Sequence, residues 1–310
     1  MNSPIAATPA LLFFVACVSK ATVVFALAAM AVACMHRSSA GSRHHVWTVS
    51  ILAALALPFL TVLLPVWHSA TLAHAATLLT TPHSGAPTST SSYAEPMVVN
   101  AITLRAYGAG LWVLPIWALG AAILASRLLV GIIRLAILTT RSQALLIDAW
   151  SSDLRTLTES LRISRVVRLV QYGDSTATPL TWGLLRPAIL VPAGASDWPA
   201  ERRRIVLSHE LAHIARGDWL LHICGELICV LYWFHPLAWI ALAGLRHESE
   251  RACDDAVLNS GIPACEYADE LLALASTLTN ARAGVCPALA IARSTNLERR
   301  FAVAGMVGGR

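Results

Sequence analysis

The sequence predicts a mainly α membrane protein: three transmembrane helices, then a cytoplasmic, membrane-associated part with a small β-sheet and a re-entrant helical hairpin. Three observations predict it. The 310 residues are 56% hydrophobic and only 13% charged, with a mean hydropathy of +0.61, well outside soluble globular composition. Three apolar runs, about Ala10 to Met35, Val46 to Trp67 and Tyr107 to Ile133, are each long enough to cross a hydrocarbon core of about 30 Å. A fourth, Trp219 to Leu245, is broken near its middle by Tyr232-Trp233-Phe234-His235-Pro236.

These runs divide the chain into a transmembrane region, 1–140, with an outer loop at 68–106, and a second domain, 141–310, containing the hairpin 219–245. The first run has no basic region before it and is too long for a signal-peptide core, so it is expected to be a retained span. Positive charge sets the orientation. Arg37 and Arg43 follow the first span; the segment from His68 to Ala106 holds only Glu95 and Arg105; Arg127 lies near the end of the third, and Arg134, Arg141 and further arginines follow it. The expected topology is a multi-pass protein of the inner (plasma) membrane, N-terminus outside, with everything beyond about Arg134 in the cytoplasm. Cytoplasmic-side arginines account for the net charge of +5 without nucleic acid as a partner.

The outer loop, rich in Ser, Thr, Pro and Ala around Thr80 to Ser92, reads as a spacer. Cys17 and Cys34 lie in the first span and the other five cysteines beyond the third; no CxxC pair occurs. Structural disulfides and cysteine metal sites are therefore not expected. Lys20, the only lysine, falls near the middle of the first span. A charge there calls for a partner inside the bundle, with a carboxylate as a candidate.

The cytoplasmic part opens with a helix expected from about Asp148 to Leu161, with leucines at three- and four-residue intervals. Short β-like runs follow at Val166 to Val170 and Ala188 to Val191. A further helix starts with Asp197 as the expected N-cap and Pro199 in its first turn, and runs to about Arg216. Arg202, Arg203 and Arg204 near its start read as a solvated or headgroup-facing surface.

That helix carries His209-Glu210-Leu211-Ala212-His213, an HExxH sequence. Histidines four apart share one helix face and can grip one zinc ion, Zn2+, while the glutamate between them can take a proton from a bound water. A third ligand must come from elsewhere, and Glu250 is well placed. Geometry then decides how the fourth apolar stretch runs. As a single span it would carry Glu250 to the far side of the membrane. Each arm, Trp219 to Trp233 and Pro236 to Glu250, is roughly 21 Å of helix, too short to cross. Together they form a hairpin that returns Glu250 to His209 and His213, and Glu226 and His222 suit such a protein-buried hairpin.

The run Ser208 to Trp219, then Phe234-His235-Pro236, then Glu250-Arg251-Ala252-Cys253-Asp254-Asp255 resembles the BlaR/MecR family of membrane-embedded zinc metallopeptidases. Pro179 to Pro192, with Gly183 and Pro187, resembles the stretch before that family's catalytic helix, and the likeness covers essentially the whole chain. It implies a gluzincin-type fold, with zinc held by His209, His213 and Glu250, Glu210 as catalytic base, and Asp254 as the outer carboxylate orienting a histidine. The implied reaction is peptide-bond hydrolysis of a protein substrate: a cytoplasmic regulator such as a repressor, or the chain itself. A strand edge around Ala188 to Val191 is expected to pair with the extended substrate. His235, His247 and nearby arginines are candidate oxyanion stabilisers, though structural roles suit them better. A homodimer is compatible with the sequence.

The resemblance also implies a role in signal transduction. With Lys20 the only lysine, no acylatable Ser-x-x-Lys sequence occurs, so β-lactam sensing is not expected of these residues. The chain stops at Arg310 without a fourth span, as a fragment would or a family member with a different input. Asn296 to Arg300 resembles the stretch where family receptors cut themselves. Two other readings carry weight: a receptor or scaffold subunit in which proteolysis is secondary, and a transporter or channel, which three spans support poorly.

Overall fold

The computed structural model describes residues 7–63, 95–145, 147–173 and 179–281. Most of the outer loop and the segment 296–300 lie outside the described residues. Helices α1 (Ala7–Cys34), α2 (Ala40–Leu63) and α3 (Glu95–Arg141) carry three stretches long and apolar enough to cross a membrane, Phe13–Cys34, Ala40–Leu63 and Trp112–Arg141. Strand β1 (Gln143–Ala144), helix α4 (Asp148–Ser160) and strands β2 (Arg168–Tyr172), β3 (Leu180–Trp182) and β4 (Ala188–Pro192) follow. A 3-10 turn (Ala193–Asp197) leads into α5 (Ala200–Arg216), α6 (Asp218–Leu231), α7 (Pro236–Asn259) and α8 (Ala264–Ala281).

The hairpin is α6 and α7, joined at residues 232–235. Its packing follows from apolar residues on nearly every face. Ile228 and Cys229 of α6, Tyr232 of the connection and Ala238, Ala241, Leu242 and Leu245 of α7 share one core with Ala21, Phe25 and Ala28 of α1 and Trp47, Ile51 and Ala54 of α2. Small residues let these helices approach closely, as in membrane bundles. A Cβ on Gly244 would fall 2.5 Å from the Trp47 indole, and one on Gly225 2.7 Å from Leu242. At the tip, Thr22 Oγ1 lies 2.8 Å from His235 Nε2, and Trp117 Nε1 donates to the Leu231 carbonyl at 2.8 Å. Glu226 is paired with Arg246 across the hairpin. Lys20 donates to Thr61 Oγ1 at 3.3 Å, a neighbouring-span hydroxyl rather than the candidate carboxylate.

The second span begins at Ala40, six residues earlier than its hydrophobicity suggests. Arg43 and His44 are inside that helix and buried. Arg43 lies 2.9 Å from Glu248 of α7 and also donates to the Ser38 and Met35 carbonyls. The Arg43 charge finds its partner in protein and His44 is enclosed beside it, so neither marks a solvated loop.

The sheet order is β1-β2-β4-β3, with β2 and β4 parallel and the outer pairs antiparallel. Side chains alternate between its faces. Leu169, Ile189 and Val191 pack on Trp150 of α4 and Leu207, Leu211 and Ile214 of α5. Val170, Tyr172, Ala188 and Leu190 pack towards Leu138 at the end of α3. β4 is therefore central and wholly buried, with both sides taken; it is not the edge expected. Among the described strands the edge beside α5 is β3, too short to register as a periodic run.

Two further details at the start of α5 differ from expectation. Asp197 closes the 3-10 turn, and Pro199 is the N-cap. Arg202 pairs with Glu270 of α8, and Arg203 with Asp153 of α4 at 2.5 Å. Only Arg204 of the three is exposed; the other two tie α5 to its neighbours.

Candidate metal centre

Helix α5 is fixed on two sides. Leu207, Leu211 and Ile214, spaced four and three apart, press on the sheet, while Ile205 meets Val257 of α7 and Tyr267 and Leu271 of α8. The helix ends at Gly217, whose φ of 71° is a left-handed cap that a side chain would disfavour. This orientation turns His209 and His213 towards the polar half of α7.

The hairpin brings Glu250 to them. His209 Nε2 and His213 Nε2 are 3.3 Å apart. Glu250 Oε2 lies 3.7 Å from the first and Oε1 3.6 Å from the second. Ligand atoms about 2.0–2.1 Å from a tetrahedral zinc lie roughly 3.3 Å from one another, so the cluster has the dimensions of three corners of such a site. Hydrogen bonding supports the fit. Asp218 Oδ2 is 2.8 Å from His213 Nδ1, and Asp254 Oδ1 is 3.4 Å from His209 Nδ1. With each Nδ1–H directed at a carboxylate, the two Nε2 lone pairs face one another and a carboxylate, an arrangement that calls for a cation.

Asp254 stands beside His209 and is itself held by the Tyr267 hydroxyl at 2.6 Å. Asp218 was not foreseen. It is buried at the start of α6, accepts from Ser249 Oγ at 2.7 Å and Arg216 Nε at 3.2 Å, and lies 3.7 Å from His44 Nε2. Burial pushes its carboxyl up, but the His213 hydrogen bond and charge, with Ser249 and Arg216, outweigh this and hold it at about 2. Its sequence signal was slight: an acid after a glycine cap, opening a mostly apolar helix. Cys253 Sγ lies 3.3 Å from His213 Nδ1 and 3.7 Å from Asp218 Oδ2. Burial first, then Asp218, raise that thiol well above its ordinary range. His213, Asp218 and Cys253 also converge closely enough to hold an ion. Since Asp218 is already engaged by Ser249 and Arg216, we read them as support behind His213 Nδ1.

Glu210 faces the sheet side. Its Oε2 accepts from Thr181 Oγ1 of β3 at 2.6 Å, a contact across 29 residues that the sequence did not disclose. His235, at the hairpin tip, is a whole helix arm from Glu250, roughly 22 Å at 1.5 Å per residue, and takes no part here.

Three helices long and apolar enough to cross a membrane are joined in one chain to this His–His–Glu cluster. The chain belongs to the BlaR1 peptidase M56 family, whose profile matches residues 11–304. It is similar to "Regulatory protein BlaR1" of Bacillus licheniformis, 32% identical over 150 residues, which are 47% of this chain and 24% of that protein. The chain therefore spans about a quarter of the length of that relative.

Proposed function

We propose that the protein is a membrane-bound zinc endopeptidase of gluzincin type, acting from residues 141–310 on the cytoplasmic side upon a regulator such as a repressor, or upon itself. The observation that carries this is the convergence of His209, His213 and Glu250 at the spacing of a tetrahedral ion, with a carboxylate behind each histidine. The N-terminus would lie outside, and the relative's regulatory name favours a place in signal transduction.

His209 Nε2, His213 Nε2 and the Glu250 carboxylate would hold the zinc. When bound, it supplies a Lewis acid that acidifies a water and polarises the scissile carbonyl. Glu210 takes the proton of the attacking water, and Thr181 keeps its carboxylate aimed. As the C–N bond breaks, Glu210 returns that proton to the leaving amine nitrogen. Asp218 and Asp254 hold the histidine tautomers and ring planes. The β3 edge, rather than β4, would align an extended substrate beside Glu210.

The test is the full chain purified in detergent, its zinc content, and a cleavage assay on itself and on candidate regulators. We expect about one zinc per chain, lost in Glu250→Gln, and cleavage abolished in Glu210→Ala with zinc retained. Folded wild-type protein that takes up no zinc would overturn the reading.

A further inference from the structure

We propose that the turn between β3 and β4, with residues 162–168 beside it, is a docking surface for the anionic headgroups of the bilayer. Its two large apolar side chains stand out. Leu185 is 84% and Val166 80% exposed, above Leu63 at 78%, the most exposed large hydrophobic of the spans among the described residues. Exposure is expected on a lipid-facing helix; these two belong to the polar part of the chain. Arg162, Arg168 and Arg186, all exposed, lie within four residues of one or the other in sequence, and among the ion pairs of the described residues none joins a carboxylate to any of the three. A basic rim around an apolar centre fits acidic phosphate over acyl chain.

The patch is one surface. Arg165 Nη1 donates to the Leu184 carbonyl at 3.0 Å, and the Arg168 amide to the Pro187 carbonyl at 2.9 Å. Its level relative to the membrane follows from three ties. Trp182, just before the turn, donates to Thr139 Oγ1 at 2.7 Å, two residues from the end of the third span. Its ring stands edge-on to Trp219 in the first turn of α6, centroids 6.5 Å apart. Arg165 Nη2 donates at 2.5 Å to the carbonyl of Ile214, three residues before the chain turns into the apolar hairpin. The turn therefore leaves from the plane where the third span ends and the hairpin begins. Trp182 and Trp219 are there as interfacial tryptophans would be. The arginines then face phosphates, which they match by geometry as well as charge. Because β3 also carries Thr181, a seated turn would steady the strand against Glu210.

The experiment is photo-crosslinking with a benzophenone side chain at position 185 of the full chain, reconstituted in vesicles of phosphatidylglycerol and phosphatidylethanolamine or of phosphatidylcholine alone. Position 201, exposed at the far end of α5, is the control. Phospholipid adducts at 185 but not 201, more abundant in the anionic vesicles, are expected. Arg168→Gln and Arg186→Gln should each reduce the anionic preference about fivefold, with thermal unfolding of the two variants unchanged. Equal labelling at 185 and 201, adducts to a second copy in place of lipid, or indifference to headgroup charge would each overturn the proposal.

Discussion

The buried contact between Arg43 of α2 and Glu248 of α7 makes a sharp prediction. Both side chains are 7% exposed and the charged atoms are 2.9 Å apart. Arg43→Met leaves the Glu248 carboxylate enclosed without its countercharge and removes the donor to the Ser38 and Met35 carbonyls. Breaking one side of such a pair costs about 3–5 kcal/mol, a large part of an ordinary stability of 5–15 kcal/mol. Replacing both charges removes the desolvation of two ions as well as their attraction, so Arg43→Met with Glu248→Met should return to within about 1 kcal/mol of wild type. Unfolding in detergent, followed by tryptophan fluorescence across the double-mutant cycle, measures this. If Arg43→Met alone loses less than about 1 kcal/mol, or the double variant is as unstable as the single, the reasoning is refuted.

Three further outcomes follow from the same geometry. Asp218→Ala, which frees His213 Nδ1, should weaken zinc about 10–100-fold in chelator competition while the protein stays folded. Thr181→Val keeps the side-chain shape but removes the donor to Glu210; cleavage should slow by about 10-fold or more, from the 1.5–3 kcal/mol of a hydrogen bond to a charged group, with zinc content unchanged. Gly244→Val places methyl groups where the Trp47 indole sits, so the unfolding transition should fall by about 1–3 kcal/mol, whereas Gly41→Val, where little lies near the added Cβ, should be much milder.

Much of this site was legible because it is written locally. His209 and His213 declare a shared helix face by their spacing, and Glu250 follows from the equal arms on either side of Pro236. Asp254, one helical turn from Glu250, came with the family resemblance. What the sequence concealed depends on packing between distant segments. Thr181 reaches Glu210 only because β3 pairs with β4, and Arg43 reaches Glu248 only because α2 lies along α7. No local period encodes either. β4 carried its own warning: Ala188-Ile189-Leu190-Val191 is apolar at every position, the mark of a strand buried on both faces. The arginines at the start of α5 mislead for the opposite reason, since charge suggests solvent until Glu270 and Asp153 come into view.

The core shared by α1, α2 and the hairpin also sets an order of events in biosynthesis. The first two spans enter the membrane well before the hairpin has been translated, and at roughly 5–20 residues per second the interval is on the order of ten seconds or more. Until α6 and α7 arrive, Arg43 and His44 have neither Glu248 nor Asp218 to meet, and His209 and His213 have no Glu250. An incomplete chain is thus a chain whose His209–His213–Glu250 cluster has not yet come together.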